Sequence, residues 1–153
     1  MAADSADMNV ANFQFPENHP DTFRASVYRD KNFRIGLSHA IDREELIDVV
    51  FLGQGEPYQV APRPRSPFYS EKRGKQYTEY EPELAAEYLD KLLSKKESDG
   101  FRLRPNGDRF VVVIAVNKDF QSHWVVMMDD AFAQAQAAAA GWGGGTWRAV
   151  VQT

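Results

Sequence analysis

The run FRIGLSHAIDREELIDVVFLGQGEPYQ, residues 33–59, joins two helical patterns at a single aspartate and then closes on glycines and a proline. Asp30 is placed as an N-cap, and Phe33, Leu37, Ala40 and Ile41 recur behind it at helical spacing. The first helix therefore carries one apolar face and ends near Ile41. Asp42 followed by Glu45 has the form of a capping box, in which each side chain satisfies a backbone N–H left unpaired at a helix start. A second helix over 43–52 follows directly, burying Leu46, Ile47, Val49 and Val50, with Gly53 at the left-handed position that closes it. The chain is committed here to a helix, a kink and a helix.

Other segments are set by their breakers and periods. Residues 1–11 read as a small, acidic, disordered lead, with a short strand possible from residue 9 to residue 15. The two prolines of PENHPD turn the chain, and regular structure is expected to resume near Asp30. Prolines at 57, 62, 64 and 67 exclude helix and central strand over 54–76, leaving an extended, ordered loop that carries Tyr58, Phe68 and Tyr69. Loops of this length are usually functional or docked. Pro82 opens a helix whose inner face holds Leu84, Ala85, Tyr88, Leu89, Leu92 and Leu93.

Asn106-Gly107 between residues 101–104 and 109–116 predicts a β-hairpin with a type I′ turn. Its second arm, RFVVVIAV, is apolar on both faces and belongs inside a sheet, although the chain supplies only about three strands. A last helix is expected over 119–140, before the glycine-rich GWGGGTW and a short apolar tail. The fold class is mixed α/β (α+β): helix pair, long proline-rich loop, helix, β-hairpin, helix.

Composition narrows the chemistry. With 153 residues, 43% of them hydrophobic, one modest core is possible and two are not. A net charge of −4 gives no global field for nucleic acid or an anionic membrane. Cysteine is absent, which removes disulfides, thiolate metal sites and thiol nucleophiles. The N-terminus has no basic, then apolar, export signal, and no later stretch reaches membrane-spanning length. His19, His39 and His123 stand without a second ligand at metal spacing, and Ser38 beside His39 makes no dyad, since neighbouring helix residues point apart. Asp42, Glu44 and Glu45 complement a helix start better than they form an acid–base pair.

No catalytic residue, metal or cofactor is expected. The basic loop with Arg63, Arg65, Lys72, Arg73 and Lys75 reads as solvated charge rather than a nucleic-acid patch. In GQGEPYQ, Gly53 and Gly55 allow close backbone approach, while Gln54, Glu56, Tyr58 and Gln59 offer polar and aromatic contacts to a ligand. A purely structural turn accounts for the same residues equally well.

Taken in order, FRIGLSHAIDREELIDVVFLGQGEP, SPFY, QYTEYEPELAAEYLDKL and DGFRLRPNGDRFVVVIAV resemble bacterial extracellular solute-binding proteins of family 5. The resemblance covers residues 12–121 and implies part of the C-terminal lobe of a periplasmic-binding-protein type II-like fold. It implies a receptor that closes around a peptide, an oligosaccharide or a nickel complex and delivers it to the permease subunits of an ABC importer, in the periplasm. A chain without an export signal would instead stay in the cytoplasm. Residues 122–153 do not resemble the family's continuation and read as a helix with an aberrant Ala/Gly-rich tail. The competing reading is a remnant or small interaction module that binds no solute.

Overall fold

Helical structure begins one element earlier than expected. Asp21 caps helix α1 (Thr22–Arg29), its carboxylate accepting from the N–H groups of Phe23 and Arg24, both at 3.1 Å. The proline turn hid this Asp-Thr start, which is an ordinary N-cap. The computed structural model describes residues 13–62, 64–117 and 148–152. The expected lead over 1–11, the helix over 119–140 and His123 lie outside them. Residues 13–15 of the expected first strand are described and form no strand.

Both aspartate caps read from the sequence are in place. Asp30 accepts from the Asn32 N–H at 2.7 Å and starts α2 (Lys31–His39). Asp42 accepts from the Glu45 N–H at 2.9 Å and starts α3 (Arg43–Phe51). The close of α3 differs from expectation: Leu52 takes the left-handed conformation first (φ 54°), and Gly53 follows it (φ 75°). Its apolar face differs too. Leu46 and Ile47 are half-buried and Val49 is 64% exposed, because helix packing concentrates on α2 with α1 and α5.

The loop over 54–76 contains one helical turn, α4 (Glu71–Gly74), beyond its last proline. Helix α5 (Pro82–Asp90) starts at Pro82 as read and buries Ala85 and Leu89. It ends before Leu92 and Leu93, and Leu93 is buried in the turn that follows.

The core joins α1, α2, α5 and the second arm of the hairpin: Val27, Tyr28, Phe33, Ala40, Ala85, Leu89, Leu93, Phe110 and Val112. Phe33 is its fully buried aromatic, with Phe15 edge-on at 5.2 Å and Phe110 edge-on at 6.3 Å, a favoured ring geometry. Gly36 lets α2 approach α5 closely, since a Cβ there would lie 3.0 Å from Leu89 Cγ and 3.1 Å from the Ala85 carbonyl oxygen. The buried Arg102 ties the hairpin to α5, donating to the Asp90 carboxylate, to Leu93 O at 2.7 Å and to Ala86 O at 3.3 Å. Arg104 reaches Asp21 at 3.0 Å and fastens the same hairpin to the start of α1.

The hairpin forms through an isolated antiparallel bridge, Leu103 with Arg109, rather than as a ladder, and a second bridge, Lys96 with Arg102, closes the turn that precedes it. Its turn is not type I′. The Arg104 carbonyl accepts from the Gly107 N–H at 3.0 Å, so Pro105 and Asn106 are the central residues, and Gly107 alone takes positive φ (89°). Proline holds φ at about −65° and suits the first central position of a type I turn, which draws the turn one residue back from Asn-Gly.

Regular strand starts only at β1 (Val113–Asn117), which pairs in parallel with β2 (Arg148–Gln152), Val113 opposite Arg148 through Asn117 opposite Gln152. The described residues thus hold a two-stranded sheet, and its second strand comes from the tail that composition set apart. Parallel neighbours need a crossover of a dozen or more residues, a length the intervening chain supplies.

The contact at Gly36 is directly testable, because a backbone oxygen cannot give way as a side-chain tip can. Gly36→Ala should destabilise the chain by about 1–3 kcal/mol, outweighing the better helix propensity of alanine. A urea midpoint at or above that of the parent would show that α2 and α5 are not held this closely.

Acid stability follows from two carboxylates. The Asp21 carboxyl lies below its ordinary range, first through the Arg24 N–H, against an opposing burial effect and with help from Arg104. For Asp90, burial acts upward, but the bonds from Arg102 and Lys96 outweigh it and the net direction is down. Both values are lower in the folded chain than in the unfolded one. Their contribution is therefore present above about pH 4 and is lost as pH falls through the folded values. Asp21→Asn keeps the cap acceptor and should flatten the acid limb of the stability curve; an unchanged limb would remove Asp21 from this account.

Candidate functional site

The left-handed pair Leu52 and Gly53 turns the chain out of α3, with the Gln54 N–H bonded to Phe51 O at 2.9 Å. Gly55 (φ 144°) takes a conformation that side-chain-bearing residues avoid, and it brings the backbone beside Ile47. From there the chain leaves on an excursion closed at its neck, where the Gln59 N–H donates to Gly74 O at 2.7 Å. The described residues 59–62 and 64–74 belong to a loop with adjoining ends, the Ω-type arrangement in which contact surfaces are often carried.

Of the four residues singled out in the sequence, three meet the returning segment around residues 74–77. Glu56 pairs with Lys75 at 3.4 Å, and Lys75 also holds Glu71 at 3.2 Å. The ring of Tyr58 lies in the space that a side chain at Gly74 would occupy. Its hydroxyl bonds the Tyr69 side chain, and that bond first, then burial, raises the Tyr58 phenol above its ordinary value. Gln59 Nε2 donates to Ser38 Oγ at 2.8 Å, Gln76 O at 3.0 Å and Tyr77 O at 3.3 Å. Gln54 stays apart from these three, exposed at the turn.

Large apolar and aromatic side chains stand exposed on this loop, Phe68 at 75%, Val60 at 70% and Tyr69 at 38%, beside exposed charges at Arg65, Glu71, Lys72 and Arg73. Ser66 organises this tip, accepting from the Phe68 N–H at 3.2 Å through Oγ and from the Tyr69 N–H at 3.0 Å through its carbonyl. Beneath the neck, α2 ends in a polar junction that motif reasoning missed. Arg43 donates to Ser38 O at 2.7 Å and to Ser38 Oγ at 2.8 Å, and burial draws its guanidinium below the usual value against the pull of Glu79. His39 is buried, contacts Glu79 O at 3.0 Å through Nδ1 and stacks on Tyr88. Ser38 and His39 thus serve different partners, as their adjacency in a helix implied. Nothing in the sequence marks these pairings, since Ser38 and Tyr77 lie far apart along the chain.

Among the described residues no group of three His, Cys, Asp or Glu side chains could hold a metal ion, and no helix is long and apolar enough to cross a membrane. The arrangement offers ring faces, hydrogen-bonding groups and paired charges, which suit non-covalent contact.

Solved structures of several binding proteins share this fold. Oligopeptide-binding protein OppA matches with a TM-score of 0.72 and 28% identity over 90% of this chain and 20% of its own. AppA from Bacillus subtilis, solved with a nonapeptide, matches at 0.60 and 22% identity over 83% of this chain and 24% of its own. A periplasmic oligopeptide-binding protein from Thermotoga maritima, solved with mannohexaose, matches at 0.56 and 23% identity over 78% of this chain and 22% of its own. The chain therefore spans about a fifth of the length of OppA. No curated protein sequence matches it.

Residues 3–141 match the family described as bacterial extracellular solute-binding proteins, family 5 Middle, a span that passes the boundary near residue 121 read from the sequence segments. With most of its length inside that match and its fold shared with oligopeptide-binding proteins, the chain belongs to the bacterial extracellular solute-binding proteins of family 5.

Proposed function

We propose that this chain is part of the substrate-binding component of an ABC importer, and that it helps to capture peptides or oligosaccharides for transport. The observation that carries this reading is the preclosed loop over 59–74, with Tyr58 seated on Gly74 and the rings of Phe68 and Tyr69 turned outward. A rigid loop places aromatic faces without an ordering cost at the moment of binding. Those faces suit the C–H surface of a sugar ring or an apolar side chain, while Gln54 and Glu56 add polar contacts at the rim. Family membership and the nonapeptide and mannohexaose held by two structural neighbours support the same ligand classes.

Capture, not catalysis, is the expected action, with closure around the ligand excluding water. The partners are then the ligand and the permease subunits of the importer, and the place of action is the periplasm. The second reading, an interaction module that binds no solute, draws on the exposed apolar residues Val49 and Leu52, which suit a protein partner.

Calorimetry and thermal shift with di- to hexapeptides and manno-oligosaccharides separate the two readings. Saturable binding, weakened about tenfold or more by Tyr58→Ala or Phe68→Ala, is the expected result for a contact loop. No response to either ligand class would favour the interaction module. The seat of Tyr58 gives an independent check. Gly74→Ala should cost about 1–3 kcal/mol in urea unfolding, and Tyr58→Leu in the same chain should recover part of it. Additive effects would show that the ring does not occupy that space.

A further inference from the structure

Ser38 stands in the last turn of α2, and its hydroxyl is fully used. A serine Oγ has one proton and two lone pairs. Here it donates to Tyr77 O at 2.7 Å and accepts from Gln59 Nε2 and Arg43 Nη2, both at 2.8 Å. Those partners come from three places: the neck of the loop, the first residue of α3 and the segment that leads into α5. Ser38 is where the loop, the helix pair and the return segment meet.

The neck is held from two directions by one residue. The Gln59 N–H closes the loop on Gly74 O, and the Gln59 side chain crosses to Ser38, Gln76 and Tyr77. Tyr77 itself sits at φ +57°, a left-handed conformation that residues with a side chain disfavour. Its carbonyl accepts from both Ser38 and Gln59, and its ring packs edge-on against His39 at 5.9 Å. Strain of this kind persists where the surroundings over-determine it. The cluster is therefore a built junction, with a strained backbone held by side chains from α2 and from the loop neck.

We propose that Ser38 is a positioning residue: its hydroxyl latches the neck of the loop to the end of α2 and so sets the orientation in which Tyr58, Phe68 and Tyr69 are presented. The use of the latch rests on the loop being the ligand-contact segment. Its existence does not, and the test below contains no ligand, so failure of ligand binding and failure of the latch are separate results.

The test uses the full chain with Ser38→Ala, Ser38→Thr, Gln59→Leu and the Ser38→Ala, Gln59→Leu double variant. One measurement is amide hydrogen exchange at residues 59, 33 and 89. The other is the titration of the Tyr58 phenol, isolated by difference against Tyr58→Phe. Opening the latch should speed exchange at residue 59 roughly tenfold, the upper range for one hydrogen bond, and leave residues 33 and 89 unchanged. It should also bring the Tyr58 titration down toward that of a free phenol, as the bond to Tyr69 loosens. Ser38→Thr keeps a hydroxyl on the same carbon and should restore both readings.

Ser38→Ala and Gln59→Leu should add to less than the sum of their separate effects on exchange at residue 59 in the double variant, because both remove the Gln59–Ser38 bond. Gln59→Leu leaves the α2–α5 contact untouched and provides the test if Ser38→Ala does not fold. The proposal is overturned if Gln59→Leu leaves residue 59 protected, if exchange rises equally at residues 33, 59 and 89, or if the two substitutions add in full.

Discussion

The absence of a side chain at Gly36 sets the geometry of this chain. Helix α2 can lie against α5 only because a hydrogen stands where a Cβ would press on the Ala85 carbonyl. That contact fixes the axis of α2, and both ends of the helix are then aimed. Phe33, one turn before Gly36, enters the aromatic group with Phe15, Tyr28 and Phe110. Ser38 and His39, less than one turn beyond it, face the segment around Tyr77 and Glu79. One close approach therefore places an apolar end in the core and a polar end under the loop.

Side-chain donors hold what regular ladders do not. Four prolines between 57 and 67 remove backbone donors and prevent the loop from joining a sheet. Its order comes instead from the Gln59–Gly74 closure, the Tyr58 ring on Gly74 and the Ser38 junction. Arg102 works in the same way, meeting the carbonyls of Ala86 within α5 and of Leu93 beyond its end and joining the hairpin to the helix. A buried guanidinium is tolerated because carbonyl oxygens and the Asp90 carboxylate replace its water.

Local signals were legible where the physics is local. Asp30 and Asp42 cap their helices as their positions implied, Pro82 starts α5, and Ala85 and Leu89 are buried on the expected face. Asp21 followed the same rule and was missed because two prolines before it read as loop. The hairpin was found with the wrong turn, since Pro105 prefers a position that moves Asn106-Gly107 out of register. Val49 falls on the apolar face by period yet is exposed, because period marks an apolar face and not the element that covers it. In the loop, Glu56, Tyr58 and Gln59 were singled out as offering contacts outward, yet each also holds the loop to itself.

The sequence by itself determined the helix starts, the breakers, the apolar faces and the ordered segments that mark a family 5 solute-binding protein. These rest on interactions within a few residues or on a linear pattern. Only the tertiary structure decided that β1 pairs with β2 in the C-terminal tail, that Tyr58 fills the space at Gly74, and that Ser38 joins Gln59 to Tyr77. Each of those contacts links residues far apart in the chain and is selected by the fit of whole elements. No spacing of residue types encodes that fit.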